Sequence, residues 1–463
     1  MSTTGVDGPQ EHPHAGVRGR RFDARERRAL AAVFLAAALA SLDIAIANTA
    51  LPAIAAAVHA SPADSIWVVN AYQLAVVAVL LPFAALGDRI GPRRVYLAGM
   101  ALFTLASLGC ALAGTLHALA AARALQGIGG GALMSVNIAL VRMIYPPEHL
   151  GRGVGLNALA VGVAFSLGPT VASLVLAVAS WPWLFAINVP IGGLALALAW
   201  PGLPHTEARG QRFDPVTALL TAATFAGLVF ALSAAAQREA WTIVLGPLGA
   251  ALLCGVLLLR HQAGDPAPML PVDLLRRPLF ALSAITSACS FTTQGLAFVA
   301  LPFYFESVLH RDPVETGFLI SPWPIVVAFA APFAGRLSDR YPPGALGGAG
   351  LAILSAGMVS LAWLPADPSV ADIAVRMAIC GIGFGLFQSP NLRALMSSAP
   401  PERSGGASGV IAISRLLGQT TGAALVALCF GLAGAAGPTW ALGLGAAFAA
   451  VACVASTARL WAR

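Results

Sequence analysis

Long runs of Ala, Leu, Val and Ile alternate along this chain with short polar punctuation. A helix that crosses a bilayer needs about 20 apolar residues. Fourteen runs reach that length, near 29–58, 65–86, 94–114, 117–144, 153–179, 183–203, 215–235, 241–260, 278–307, 314–337, 344–364, 371–398, 405–433 and 437–460. The pattern predicts an all-α integral membrane protein with 14 transmembrane helices. An even number of crossings puts both termini on one side.

The basic residues test that count. When the amino-terminal tail and every second loop are assigned to one side, 22 arginines fall there, two (Arg238 and Arg311) fall opposite, and three (Arg123, Arg376 and Arg415) lie within spans. Loops that stay in the cytoplasm carry the excess of positive charge, so the termini are expected there. The net charge of +7 then reports topology, and no nucleic-acid partner is expected.

Short motifs recur about 250 residues apart. "LPAI" at Leu51 returns as "LPFY" at Leu301, "LGDR" at Leu86 as "LSDR" at Leu337, and "RALQGIGGG" at Arg123 loosely as "RMAICGIGFG" at Arg376. Eight spans separate the members of each pair, so the copies share one orientation, as in carriers built from parallel repeats. The organisation expected is a disordered cytoplasmic tail at 1–28, a six-helix bundle at 29–203, two linker helices with a cytoplasmic loop at 204–277, and a second six-helix bundle at 278–463. The tail resembles the charged start of a signal sequence, but the apolar run after it is too long and has no cleavage site.

Composition narrows the chemistry. Of 463 residues 58% are hydrophobic and 10% charged, with mean hydropathy +0.80, whereas soluble proteins carry about 25% charged residues. All 27 basic residues are arginine. Without lysine there is no nucleotide-binding P-loop lysine and no Schiff-base lysine, so energy must come from an ion gradient. No HExxH or GxSxG occurs, His59, His117, His149, His205, His261 and His310 are isolated, and the six cysteines sit in apolar runs without CxxC spacing. No enzymatic activity, metal or cofactor is expected.

Against that background a few polar residues inside spans stand out. Asp43 lies among the small residues Ala36, Ala40, Ala47 and Ala50, which turn it toward a helix interface or cavity rather than lipid. Burial disfavours the charged form of a carboxylate, and a group that takes up a proton on one side and releases it on the other suits proton coupling; a structural hydrogen-bonding aspartate is the alternative. Arg123 shares a face with Gly127 and Gly130 and needs acceptors, either carbonyls of the first span or Asp43, although the two lie about half a span apart in expected depth; snorkelling to the surface is the alternative. Arg415 shares a face with Ser408, Ala412, Gln419 and Gly422, a polar stripe that faces a cavity. Glu306, after Tyr304, is either an acidic contact for a cation or a residue at headgroup level. A small-residue stripe, Gly151, Gly155, Ala158, Gly162, Ser166 and Pro169, permits tight helix packing.

The segments "LDIAIANTALP", "GDRIGPRR", "RALQGIGGG", "GVAFSLGP" and "WPWLFAINVPIG" together resemble the major facilitator superfamily, and within it the fourteen-span drug:proton antiporters that export quaternary ammonium compounds and methyl viologen. The resemblance implies a fold of two six-helix bundles plus two extra linker helices. It gives Asp43 and Arg123 a part in proton coupling. It makes Asp88, Arg89 and Arg93, repeated by Asp339 and Arg340, a gating latch. It also marks Gly162, Gly168 and Pro169 as an antiporter motif, although "TVAS" stands where further glycines are expected after the proline. Asn48, Tyr72, Gln126, Gln294, Glu306 and Arg415 form the candidate substrate cavity, with Trp67, Phe165, Phe291, Phe298 and Trp323 as an apolar wall. The function implied is a monomeric proton-coupled efflux antiporter of the bacterial cytoplasmic membrane, exchanging protons for lipophilic, cationic small molecules by alternating access. A dedicated exporter of an endogenous metabolite or lipid is the alternative.

Overall fold

The computed structural model describes residues 22–146, 150–204, 214–236, 240–263, 272–400 and 404–461. The first six spans are α1 (Ala24–Thr49) with the short α2 (Leu51–Ala57); α3 (Pro62–Ser65) with α4 (Trp67–Ile90); α5 (Pro92–Ala111); α6 (Leu116–Ile144); α7 (Leu150–Val178); and α8 (Pro182–Ala186) with α9 (Asn188–Gly202). Then come α10 (Pro215–Ala236), α11 (Trp241–His261) and the short α12 (Val272–Leu275). The last six spans are α13 (Pro278–Phe303), α14 (Pro313–Ile320) with α15 (Pro322–Leu337), α16 (Pro343–Ala362), α17 (Val370–Ser398), α18 (Ser404–Ala433) and α19 (Gly437–Ala458). Among the described residues 13 continuous segments are long and apolar enough to cross a membrane. The last of them, Gly409–Ala458, holds both α18 and α19, joined by a 3₁₀ turn at Gly434–Ala436; counted as two, it gives the fourteen crossings read from the pattern.

Two boundaries differ from the sequence reading. The charged stretch 24–28 is not tail but the opening of α1: Asp23 accepts a hydrogen bond from the Glu26 amide, and Glu26 accepts one from the Asp23 amide, a reciprocal cap that satisfies two orphan donors. The rest of the proposed tail, residues 1–21, lies outside the described residues. The first apolar run is also not one straight helix. It breaks at Ala50, just before Pro52, which has no amide hydrogen to continue the ladder.

The repeat is visible in the backbone. His59 and His310, 251 positions apart, both adopt a left-handed conformation (φ 53° and 54°), and each precedes a capped helix start in which Ser61 accepts from the Asp64 amide and Asp312 from the Glu315 amide. Glycines cut matching helix crossings in both halves. A Cβ at Gly127 would overlap the Tyr72 carbonyl oxygen, and one at Gly381 the Trp323 carbonyl oxygen; Gly129 and Gly383 press in the same way on the backbones of α5 and α16. Without a Cβ, backbones approach close enough to pack in lipid, where water expulsion gives helices no reason to associate.

Within the first half α6 packs on α4 and α5, and α1 on α7 and α9; within the second, α13 packs on α18 and α19, and α17 on α15 and α16. α10 lies across the seam between the halves, against both α4 and α18, while α11 packs on α10. Asn70 Nδ2 donates to Ser233 Oγ (3.2 Å), and the Trp67 and Phe230 rings meet at 5.7 Å, fixing α10 to α4.

A second seam runs between α7 and α14–α15. Toward the face opposite the termini it is shut by hydroxyls. Ser166 Oγ donates to the Pro324 carbonyl (2.9 Å), Thr170 Oγ1 and Ser321 Oγ share a hydrogen bond (2.9 Å), and Ser173 Oγ reaches the Pro313 carbonyl (3.5 Å). Gly317 makes this approach possible, since a Cβ there would overlap Ser173 and the Pro169 carbonyl. Toward the terminal face the same seam parts: no neighbouring atom lies within 4 Å of where a Cβ on Gly155 or Gly162 would be. The small-residue stripe of α7 is therefore tightly packed only in its second half; of Gly151's surroundings nothing is described.

Candidate functional site

Five helices of the first half converge on one carboxylate. Asp43 Oδ2 meets Arg123 Nη1 at 2.5 Å, and both side chains are 1% exposed. Asp43 Oδ1 accepts from Gln126 Nε2 (2.8 Å) and from Asn188 Nδ2 (2.7 Å). Arg123 also donates to Gln126 Oε1 (2.6 Å) and, through Nε, to the Val68 carbonyl (3.0 Å). Gln126 Nε2 reaches Ser107 Oγ at 2.9 Å. The guanidinium lies 4.3 Å from the Tyr72 ring centroid and 5.5 Å from that of Phe185, at distances where a cation is held by the ring face. A buried pair offsets its desolvation only when further hydrogen bonds surround it, and α1, α4, α5, α6 and α9 each contribute.

Expected depth separated Asp43 from Arg123; the structure joins them directly, and Arg123 does not snorkel. The break at Ala50 is the reason. Measured from there, Asp43 is six residues from the end of α1, about 9 Å, and Arg123 is seven residues from the start of α6, about 10 Å, at ~1.5 Å per residue. Close packing supports the pair as well. Gly168 lets α7 approach α1, where a Cβ would overlap Ala45, two residues beyond Asp43. Gly162 of the same motif meets open space, and the "TVAS" segment after Pro169 supplies Thr170 and Ser173 to the seal.

The candidate cavity residues do not all come together. A small cavity between the halves, of about 10 Å³ and so room for one water, is lined by Asn48, Gln73, Phe165, Gln294, Phe298 and Gln419, among others. Asn48 and Gln294 are thus placed as expected, with Phe165 and Phe298 as its apolar wall. Gln126 is not at the cavity, because its amide is committed to Asp43, Arg123 and Ser107. Tyr72 is wholly buried against Arg123, and Arg415 stands one turn before Gln419 on α18, half-buried. Glu306 sits in a π-helical turn, Tyr304–Val308, 12 residues and about 18 Å beyond Gln294, with its Oε1 buried and without a hydrogen-bond partner among the described residues. Trp67 packs on α10 instead of the cavity, and Phe291 and Trp323 belong to the core of the second half.

The charged loops are only partly as expected. Asp88 and Arg89 are exposed at the terminal face, and Arg93 donates to the Trp200 carbonyl at the end of α9 (2.6 Å). Asp339 pairs with Arg393 of α17 rather than with the adjacent Arg340. Arg376 does not repeat the place of Arg123: it bonds Asp372 (2.9 Å), one turn earlier on its own helix, and is 23% exposed. Arg459, counted among the loop arginines, is 6% exposed and donates to Ser283 Oγ (3.0 Å) and Asn391 Oδ1 (2.8 Å). Sequence reasoning missed Asn188, Ser107 and Gln73. Asn188 carried the clearest signal, an amide set in the otherwise apolar sixth span.

Comparison with known proteins agrees with this architecture. The Major Facilitator Superfamily profile matches residues 33–423. The chain is 50% identical over 434 residues to an uncharacterized transporter, YebQ, of Escherichia coli (strain K12), covering 93% of this chain and 95% of that protein. It is 30% identical to the tetracenomycin C resistance and export protein of Streptomyces glaucescens, covering 92% and 79% respectively. The crystal structure of a bacterial homologue of the human lysosomal transporter Spinster, inward-facing and unoccupied, superposes with a TM-score of 0.68 at 15% identity, over 96% of this chain and 99% of that one. Parallel halves, two added helices and a profile spanning most of the length lead to one assignment: the chain belongs to the Major Facilitator Superfamily of membrane transporters.

Proposed function

We propose that this protein exports lipophilic small molecules across the bacterial cytoplasmic membrane in exchange for protons, with both termini in the cytoplasm. The observation that carries this reading is the Asp43–Arg123 pair. It is the one carboxylate–guanidinium pair among the described residues with both side chains 1% exposed, and it joins five helices next to a cavity lined from both halves. Protonating Asp43 removes the counter-charge of Arg123 and frees Gln126 and Asn188 to rearrange, so one proton acts on five helices at once. The two bundles, 29–203 and 278–463, then rock about the midplane. The α7 seal is the outer closure, and Arg93–Trp200 and Asp339–Arg393 latch helix ends at the cytoplasmic face. Export of tetracenomycin C by a relative supports a substrate of this general kind.

The test uses inverted vesicles with a pH-sensitive dye, an imposed pH gradient and a panel of lipophilic compounds. Wild type dissipates the gradient on addition of a substrate, and Asp43→Asn does not. A mutant that responds like wild type removes Asp43 from the coupling path.

A further inference from the structure

The charge around the cavity is unbalanced. Asp43, the midplane carboxylate, is fully engaged by Arg123, Gln126 and Asn188. The cavity itself is lined by the neutral amides of Asn48, Gln73, Gln294 and Gln419. Arg415 has no hydrogen-bond or ion-pair partner among the described residues, although it lies on the face of α18 that carries Gln419, whose own Nε2 donates to Gln294 Oε1 (2.9 Å). Glu306 is out of reach. Gly418 of α18 packs on the Ala288 carbonyl and Phe291, which places Arg415 near the level of residue 288, 18 residues and about 27 Å from Glu306. The Tyr72 hydroxyl, packed against Gly130 of α6, is itself buried and without a hydrogen-bond partner among the described residues.

An intramembrane guanidinium without a counter-ion is costly, and such a group marks the place where a partner binds. Its planar fork fits a carboxylate or similar oxyanion in two parallel hydrogen bonds, better than any other common side chain. The nearby cavity adds the rings of Phe165 and Phe298, which meet at 5.5 Å. The approach lies on the terminal side, where Gly155 and Gly162 leave the α7 seam parted.

We infer that the substrate carries an anionic group, on a largely apolar or aromatic body, and that this group pairs with Arg415. The inference rests on the transport reading above and gives the substrate the sign opposite to the cation expected from the sequence resemblance. The uncompensated charge of Arg415, one helical turn from the cavity residue Gln419, repels a lipophilic cation, while an anion cancels it.

Tetraphenylborate and tetraphenylphosphonium have the same shape and opposite charge. Their dissociation constants for the purified full-length protein in detergent, read by intrinsic tryptophan fluorescence, test the sign directly. Wild type binds tetraphenylborate at least tenfold more tightly than tetraphenylphosphonium, Arg415→Gln loses that preference, and Arg415→Lys keeps most of it. Equal or tighter binding of the phosphonium by wild type overturns the inference, as does a preference that survives in Arg415→Gln. The wild-type comparison stands even if the glutamine variant does not fold. No gradient or flux enters the measurement, so a protein that binds the borate through Arg415 yet moves no protons refutes proton exchange and leaves Arg415 in place.

Discussion

Tyr72 and Trp323 occupy equivalent places in the two halves, each with its carbonyl against a glycine of the fourth helix of its bundle, Gly127 and Gly381. Their surroundings have nothing else in common. Tyr72 lies against the Arg123 guanidinium in a network of charges and amides. Trp323 lies against Phe298 (5.4 Å between ring centroids) in a cluster with Phe291, Phe384, Phe387 and Met358. Thr293, 250 positions after Asp43, bonds only backbone carbonyls, those of Cys289 and Gly445. The backbone repeat fixes how helices cross, because glycine positions decide closest approach. The chemistry in the interior is free to diverge, with a buried ion pair in one half and a cluster of rings in the other.

That contrast can be broken by experiment. The largest expected difference is between the two related arginines. Arg123→Leu strands the Asp43 carboxylate in the core and costs about 3–5 kcal/mol, whereas Arg376→Leu removes a partly exposed one-turn pair worth less than about 1 kcal/mol. Thermal unfolding of the two purified variants checks this, and equal losses would mean that the ionic network is not confined to the first half.

The shared glycine crossings sharpen the comparison from the other direction. Gly127→Val and Gly381→Val each force a helix pair apart, and each is expected to cost about 1–3 kcal/mol. Here similar losses are the result that supports the repeat; a large loss in only one half would show that the second crossing tolerates separation.

The smallest effect belongs to the linker, which lies outside the repeat. The hydrogen bond from Thr217, helped by His261 at 2.8 Å and the Thr217 and Val216 amides, lowers the Asp214 carboxyl pKa to about 2. A folded value below the unfolded one contributes stability above about pH 4, which is lost as the pH falls toward 2. Hydrogen exchange at the start of α10 is expected to rise over that interval in wild type and to be flat in Asp214→Asn.

Much of this architecture could be read from the chain because each crossing needs its own apolar run, and the chain punctuates those runs with arginine. Asp43 and Arg123 were legible for the related reason that ions inside apolar runs are rare and conspicuous. Their contact was only one of two alternatives there, since the match in depth depends on the break at Ala50, a local event that hydropathy does not register. Asn188 and Ser107 were missed because one amide or hydroxyl in a span looks like many others until helix packing brings it to a charge. The pairing of Asp339 with Arg393, 54 positions away, likewise depends on which helices touch. Arg415 was identified as facing the cavity, but the sign it imposes there required knowing that Asp43 was already engaged.

The seal between α7 and α14–α15 consists of hydroxyls, carbonyls and the bare backbone of Gly317. Parting it moves no formal charge. Membrane voltage does work only on charge that is displaced through the field, and salt screens only charge, so both pass this closure by. In the exchange cycle proposed above, the electrical response would then be confined to the proton at Asp43, the guanidinium released beside it, and whatever ion Arg415 receives.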